Sequence, residues 1–233
     1  MRNRSLFFVL ISTVWFMLSC MFVTGYVRKD GTYVYATAPE LSYSENPIPG
    51  IDVQSFQVLS RHGYAKDADQ VYYQYYLVDG ADPGSFTEIS DLYGRDNAHV
   101  YYKFFAIPGA DPNSFELFNT QWGRDSKDIY LQDRPIEACD PVTFVILREG
   151  WEQDNQCVYN GSAKLPDADP ASFVVMNYWF GKDKNHVYYN DGSIIERADP
   201  STFKAGVGKC EVCAEDKHGC YRYKEPLACE VIK

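Results

Sequence analysis

Acidic and amide side chains recur in short turns along the chain, where their oxygens could serve as ligands for a cation. Asp67-Ala68-Asp69 and Asp183-Lys184-Asn185 are two of these turns. Calcium takes six or more oxygen ligands, so the turns invite comparison with a calcium site. The turn varies between copies, however, and lysines such as Lys66 and Lys182 place positive charge beside it. Because Asp and Asn also form turns by bonding to their own backbone, the pattern favours turn formation, and neither a metal nor another cofactor is predicted.

Cysteines near the end of the chain offer redox or metal chemistry. The last 24 residues contain four of them, Cys210, Cys213, Cys220 and Cys229. A four-cysteine zinc site usually consists of two close pairs, whereas eight residues separate the second pair here. The N-terminal residues predict export, and disulfides form and persist in exported proteins. Disulfide bonds are therefore preferred to zinc, with all three connectivities left open.

Three further cysteines precede that segment. Cys139 and Cys157 lie 18 residues apart in adjacent copies of a repeat, which fits a further disulfide. Cys20 ends the stretch Met17-Leu18-Ser19-Cys20, which resembles a bacterial lipobox, a signal in which the cysteine is lipidated and becomes the mature N-terminus. With Cys20 lipidated or removed, the other six cysteines can all pair.

The histidines and acids do not form a coherent catalytic set. His99 and His186 occupy the same repeat position, but Gln70 and Asp128 fill it in other copies. The sequence contains neither a G-x-S-x-G nucleophile motif nor a phosphate-binding loop. The chain is therefore predicted not to be an enzyme.

Aromatic side chains are the strongest functional indication, because the chain contains 19 tyrosines. Alternation along a strand places aromatic residues on both faces, and one face must form the core. The other face could bind a protein or an envelope glycan, since tyrosine is enriched in interfaces. The candidates for this surface are Tyr75, Tyr76, Tyr102, Phe104 and Phe105.

The elements that would position these residues are clearest in Gly181–Phe203. Asp199-Pro200-Ser201-Thr202-Phe203 combines a favoured capping residue with proline at the first helical position, and it predicts one capped helical turn that returns Phe203 to a core. His186–Tyr189 is a β-branched and aromatic run between turn residues, which predicts a strand. The following Asp191-Gly192 indicates a hairpin.

This unit recurs six times along residues 27–203. The turn is found at Asp52–Phe56, Asp82–Phe86, Asp111–Phe115, Asp140–Phe144, Asp169–Phe173 and Asp199–Phe203, with steps of 30, 29, 29, 29 and 30 residues between the phenylalanines. An aspartate leads each strand, at Asp30, Asp67, Asp96, Asp125, Asp154 and Asp183. A fixed period with matched positions predicts a repeat architecture.

Residues 181–189, GKDKNHVYY, and Ala198-Asp199-Pro200 resemble the DKNYY repeat family of exported bacterial proteins. The resemblance covers residues 27–203. The resemblance implies export and tandem repeats, and it implies no catalytic residues for this chain. Asp125–Tyr130 departs from the pattern because it lacks the second aromatic residue.

We expect an all-β fold of tandem β-hairpin repeats, each of about 29 residues, stacked in an elongated or twisted array. A propeller-like arrangement is the alternative, although a propeller blade usually needs about 40 residues or more. Residues 204–233 would form a cysteine-rich cap on the end of six repeats. Disulfides there would hold a terminal unit that has only one neighbour.

Residues 1–20 are predicted to be a signal peptide or a membrane anchor. Arg2 and Arg4 precede Leu6–Val23, which contains 18 residues without a charge. Lipidation at Cys20, cleavage before Tyr26, and retention as an N-terminal membrane helix all fit this pattern. Lipidation or retention would anchor the chain at a membrane of the bacterial cell envelope, facing the periplasm or the exterior, whereas cleavage before Tyr26 would leave a secreted protein.

The charge of the chain limits its partners. The formal net charge is −10, and loss of Arg2 and Arg4 with the signal leaves 20 basic against 32 acidic residues, or −12. This excess of acid disfavours nucleic acid, which is held largely by cationic contacts to phosphate. The leading hypothesis is a non-enzymatic envelope lipoprotein that acts as a scaffold for a protein or glycan. The alternatives are an envelope-localised inhibitor or immunity protein and, from another class, a hydrolase of envelope polymers.

Overall fold

The structure is a computed structural model, and it describes residues 24–37, 43–208 and 210–231. The predicted signal or anchor helix and the lipidation candidate Cys20 lie outside these residues. Within them, no helix is long and apolar enough to cross a membrane.

The described chain is all-β and consists of short antiparallel strands in small separate sheets. In the first part these are β1 (Gly25–Lys29), β2 (Thr32–Thr37), β3 (Ser44–Pro47), β4 (Gln57–Val58), β5 (Tyr64–Lys66), β6 (Val71–Tyr73), β7 (Tyr76–Leu77), β8 (Thr87–Glu88), β9 (Tyr93–Arg95), β10 (Val100–Tyr102) and β11 (Phe105–Ala106). The next strands are β12 (Glu116–Leu117), β13 (Trp122–Arg124), β14 (Ile129–Leu131), β15 (Arg134–Ile136), β16 (Val145–Ile146), β17 (Trp151–Gln153), β18 (Val158–Asn160) and β19 (Ala163–Lys164). The last are β20 (Val174–Val175), β21 (Phe180–Lys182), β22 (Val187–Tyr189), β23 (Lys204–Ala205), β24 (Cys213–Asp216), β25 (Gly219–Arg222) and β26 (Glu225–Leu227), followed by one 3-10 turn at Cys229–Val231.

The sheets repeat one meander. β8, β9, β10 and β11 pair in chain order, with Tyr102 opposite Tyr93 and, on its other side, Phe105. Four-stranded sheets of the same order form from β4–β7, β12–β15, β16–β19 and β23–β26, whereas β1–β3 and β20–β22 make three-stranded sheets. The cysteine-rich segment therefore contains a sheet of the repeating kind. The chain forms two compact units, residues 1–113 and 114–233.

The phenylalanines of four Asp-Pro turns, Phe86, Phe144, Phe173 and Phe203, each contact two successive sheets within a unit. In the first unit, the Phe86 ring lies 5.1 Å from Tyr64 of the preceding sheet and 5.8 Å from Tyr101 of its own. In the second unit, the Phe173 ring lies 5.5 Å from Trp151 and 6.1 Å from Tyr188 in the same way. Burial of large aromatic rings is strongly favourable, so these contacts couple each sheet to the one before it.

The same phenylalanine requires a small residue on the second strand of its sheet. A Cβ atom placed on Gly94 would lie 2.2 Å from Phe86 Cζ, and one on Gly123 or Gly181 would lie 2.4 Å from the ring of Phe115 or Phe173. The ring therefore occupies the space that a side chain would need. This contact explains why glycine follows the aromatic residue in Tyr93-Gly94, Trp122-Gly123 and Phe180-Gly181.

We expect Gly94→Ala to lower the free energy of unfolding by about 2 kcal/mol, because Phe86 must move out of a well-packed core. Urea unfolding would measure the change. Gly84→Ala, in the exposed turn just before Phe86, serves as the matched control and should change stability by less than about 0.5 kcal/mol. Equal effects of the two substitutions would contradict the packing argument.

Candidate functional site

The aspartates that lead five of the six predicted repeat strands, Asp67, Asp96, Asp125, Asp154 and Asp183, are buried and accept several hydrogen bonds, whereas Asp30, the first of the six, is exposed. Oδ1 of Asp183 accepts from the backbone N–H groups of Asn185 and His186, both at 2.7 Å. Oδ2 accepts from the backbone N–H of Asp169 at 2.8 Å and from the Tyr188 hydroxyl at 3.1 Å. One carboxylate thus connects its own turn, the tyrosine of the next strand, and the Asp-Pro turn that lies 14 residues earlier.

The same hydroxyl-to-carboxylate bond recurs at five other positions. The pairs are Tyr72–Asp67, Tyr101–Asp96, Tyr130–Asp125, Tyr159–Asp154 and Tyr221–Asp216, with oxygen–oxygen distances of 2.8, 2.8, 2.9, 2.6 and 3.1 Å. The aspartate that precedes the strand and the tyrosine on that strand are therefore partners in one hydrogen bond, which the repeats share.

The pKa values of these groups agree with this role. Burial alone would raise the pKa of Asp183, but hydrogen bonds from Asp169, His186, Asn185 and Tyr188 outweigh it and hold the pKa below its ordinary value. Burial and the neighbouring carboxylate raise the pKa of the Tyr188 hydroxyl. The carboxylate consequently stays ionised and the tyrosine stays a donor near neutral pH.

These turns do not supply a metal site in the described residues, where no group of three or more His, Cys, Asp or Glu side chains could hold a metal ion. The histidines are also dispersed. His99 Nδ1 lies 4.0 Å from Asp96, and His186 Nδ1 lies 3.3 Å from the Tyr188 hydroxyl, each within its own turn.

The structure contains disulfides, and they join the six predicted cysteines in three pairs. Cys139 is bonded to Cys157, Cys210 to Cys213, and Cys220 to Cys229. The first pair links an Asp-Pro turn to the turn that leads the next strand. The other two lie together in one cluster with Val207 and Leu227 at the last sheet.

Glu152 on β17 is a buried acid that the sequence analysis did not single out. It occupies the position held by Ala65, Gly94, Gly123, Gly181 and Ala214 in the other sheets, yet it is only 1% exposed. Oε2 accepts from the backbone N–H of Gly161 at 3.0 Å. The same N–H lies 3.3 Å from the Gly150 carbonyl, whereas the corresponding bond from Gln74 to Gly63 is 2.8 Å. Burial raises the pKa of Glu152 to about 8, although the bond from Gly161 opposes the shift. Aligning the repeats could have revealed this exchange of glycine for glutamate.

Four of the five aromatic residues predicted to form a binding surface lie in one row, which we call the aromatic ladder: Tyr75, Tyr76, Phe104 and Phe105. Successive ring centroids are 4.3, 4.8 and 4.3 Å apart. The row crosses two neighbouring sheets of the first unit, because Tyr76 begins β7 and Phe105 begins β11. Tyr76 is 43% exposed and Phe105 is 54% exposed.

The fifth predicted residue, Tyr102, is not part of the ladder. It is buried, and its ring packs 5.0 Å from Tyr93 while Lys103 Nζ lies 5.1 Å from its centroid. Tyr102 ends β10, whereas Phe104 lies in the turn that follows and Phe105 begins β11.

Rigid turns hold the ladder. Gln74 and Lys103 immediately precede it, and both adopt the left-handed backbone region with φ of 59° and 57°. Their N–H groups donate to the carbonyls of Gly63 and Leu92 at 2.8 and 2.7 Å. The sheet β12–β15, in the second unit, uses the same turn but has Asp133 and Arg134 at the positions of the ladder residues. The turn is therefore common to the repeats, and the aromatic side chains are specific to two of them.

The DKNYY family model matches two stretches of the chain, residues 9–104 and 93–225. No curated protein and no solved structure matches the sequence. The matched stretches contain the repeated aspartate and tyrosine that bond to each other, and together they span nearly the whole chain. The chain belongs to the DKNYY family.

Proposed function

We propose that the chain is a non-enzymatic scaffold of the bacterial cell envelope that binds a partner protein through the aromatic ladder. The observation that carries this proposal is the row of four rings on rigid turns, in which Tyr76 and Phe105 are exposed and Tyr75 and Phe104 are half-buried. A lipid on Cys20 or an uncleaved N-terminal helix would hold the scaffold at the membrane. The acidic chain would have no affinity for nucleic acid.

The arrangement of the rings favours a protein over a glycan at this surface. Tyr76 and Phe104 each contact two other rings of the row, and the exposed rings are Tyr76 and Phe105. The ladder therefore offers mainly ring edges, against which the apolar side chains of a protein interface can pack. Aromatic anchors that are already fixed lose little conformational entropy on binding, which suits a binding hot spot.

The use of the polar residues supports a scaffold rather than an enzyme. The side chains with the most suggestive chemistry, such as Asp183 and Tyr188, bond to each other and to backbone groups. We further propose that the repeats stack in series as an elongated or twisted array. The contacts of Phe86 and Phe173 with the sheets before and after them support this arrangement within each unit.

Site-specific photocrosslinking in the native envelope would test the ladder. We expect p-benzoyl-phenylalanine at position 105 to crosslink to a discrete partner. The same probe at Val142, which is 80% exposed in the Asp140–Phe144 turn, serves as the control and should give no such product. Tyr75→Asp, Tyr76→Arg and Phe104→Asp, which copy Asp133 and Arg134 of a sister repeat, should abolish the crosslink without unfolding the chain.

The identity of the product separates the remaining hypotheses. A single basic toxin or lysozyme would favour the inhibitor or immunity protein, because an acidic chain suits a basic partner. Turnover of envelope polymer by the purified chain, lost on mutation of one acid, would favour the hydrolase. Equal crosslinking from positions 105 and 142, or a product that survives the three substitutions, would contradict the proposed surface.

A further inference from the structure

A second aromatic group lies in the other unit, around Trp179. The Trp179 ring is nearly parallel to Tyr189 at 6.0 Å, and Tyr223 is nearly perpendicular to both, at 6.1 and 6.3 Å. Tyr178 approaches Trp179 edge-on at 4.9 Å. Tyr178 is 51% and Tyr223 is 45% exposed, and Trp179 is half-buried between them. We call Tyr178, Trp179 and Tyr223 the tryptophan patch.

Polar side chains border the tryptophan patch. Lys224, the residue after Tyr223, donates from Nζ to Oδ2 of Asp191 at 2.6 Å and lies 3.4 Å from Ser193 Oγ. Asp191 also lies close enough to Tyr189 to contribute to the raised pKa of that tyrosine, after the larger effects of burial and Tyr223. The lysine and the aspartate are both well exposed. The border therefore carries hydrogen-bonding groups whose charges cancel.

These residues lie together because this repeat differs from the other repeats in sequence and in the length of one turn. Tyr178 and Trp179 occupy the positions of Thr120 and Gln121 in the sheet β12–β15. The turn after β22 is one residue longer than its counterparts, and the longer turn contains Asp191 and Ser193. Tyr223 has φ of 57° at the same turn of the last sheet. Since the other repeats lack these residues, neither the tryptophan patch nor its polar border is required for the fold of a repeat.

We infer that the tryptophan patch is a binding site for a neutral saccharide. A pyranose ring has an apolar C–H face and a rim of hydroxyl groups. An aromatic surface with a few convergent polar groups matches both parts. Asp191 would accept from sugar hydroxyls, and Lys224 and the Trp179 indole N–H would donate to sugar oxygens. Since Asp191 and Lys224 neutralise each other, the site has no preference for a charged sugar. The inference does not depend on the aromatic ladder.

Titration of the full chain with chitotetraose and cellotetraose, followed by tryptophan fluorescence and by saturation-transfer NMR, would test the site. The chain has four tryptophans: Trp122 and Trp151 are buried, and Trp15 in the N-terminal segment is replaced by phenylalanine in the protein used, so a change in emission on adding sugar reports mainly on Trp179. We expect saturable binding of at least one of the two sugars. The double variant Tyr178→Thr and Trp179→Gln, which copies the sister repeat, should weaken binding at least about tenfold.

A second variant separates loss of the site from loss of the fold. Asp191→Ala with Lys224→Ala removes only exposed polar groups, and it should also weaken binding while the emission and the urea midpoint stay as in the parent. The ladder variant should bind the sugars normally. Absence of saturable binding to either sugar, or unchanged binding by the tryptophan-patch variants, would overturn the inference. A basic or acidic peptide that binds at the patch when neither sugar does would show that the occupant is a protein.

Discussion

Replacement of Asp183 by alanine is expected to lower the free energy of unfolding by about 4 kcal/mol. The substitution leaves three backbone N–H groups and the Tyr188 hydroxyl without their acceptor. Each buried donor without a partner costs free energy in addition to the bond it has lost. Because the contact also links two turns, we expect the loss to spread beyond the altered turn. Urea unfolding followed by circular dichroism would measure it.

The pH dependence of this effect has a definite sign. The pKa of Asp183 is lowered in the folded chain, so its contribution is complete above the ordinary aspartate pKa of about 4. It is lost as the pH falls through the lower, folded value. The difference between the parent and Asp183→Ala should therefore be constant from neutral pH down to about pH 5 and shrink in stronger acid.

Two controls make the test specific. Asp183→Asn keeps the shape and one oxygen acceptor, so it should cost roughly half as much as alanine. Asp128→Ala removes an exposed turn carboxylate and should change stability by less than about 0.5 kcal/mol. If Asp183→Ala changed the free energy of unfolding as little as Asp128→Ala, the Asp183 carboxylate would not be the group that links its own turn to the Asp-Pro turn at Asp169.

Replacement of Glu152 by glycine is expected to stabilise the chain, by about 3 kcal/mol above pH 8. The folded pKa of about 8 lies above the ordinary glutamate value, so the folded chain binds a proton that the unfolded chain releases. Stability therefore falls as the pH rises from about 4.5 to 8 and is lowest above that range. Glycine removes this penalty and restores the residue that Gly94, Gly123 and Gly181 provide in sister sheets.

Thermal unfolding between about pH 5 and pH 9 would reveal the titration. Glu152→Gln keeps the side-chain volume and should abolish the pH-dependent part alone. Glu149→Gln, three residues away and exposed, should leave the pH profile of the parent intact. A profile for Glu152→Gln that parallels the parent would show that Glu152 is not the titrating group.

The sequence predicted the features that depend on neighbours along the chain. The Asp-Pro turns, the strand at Val187–Tyr189 and the disulfides are encoded within a few residues or by position in the repeat. It did not predict the bond between Asp183 and the backbone of Asp169, because 14 residues separate them and only folding brings them together. The strands β5, β9, β13, β17 and β21, each the second of its sheet, were also missed, since each is only three residues long and three of them contain glycine.

The candidate site residues were also predicted only in part, because their burial and their neighbours depend on the fold. Alternation along a strand cannot decide which of its two faces is buried, so Tyr102 was grouped with Phe104 and Phe105 although it packs against Tyr93. The tryptophan patch was not anticipated because Trp179 and Tyr223 lie in different repeats. Both surfaces could nevertheless have been found by aligning the repeats, because each lies where the sequence of one copy differs from that of the others.

The bond from each strand-leading aspartate to the turn before it has a consequence for how such chains can change in length. The Asp96 carboxylate accepts from the backbone N–H of Asp82, Asp154 from Asp140 and Asp183 from Asp169, and each of these three pairs is 14 residues apart. The pairs Asp52–Asp67 and Asp199–Asp216, near the two ends of the array, are 15 and 17 residues apart. Duplicating or deleting one whole 29-residue period would therefore present every turn with an equivalent partner, and no compensating substitution would be needed. Unequal recombination between copies can thus lengthen or shorten the array in a single event, while the aromatic ladder is carried intact only by the pair of adjacent copies that encodes it.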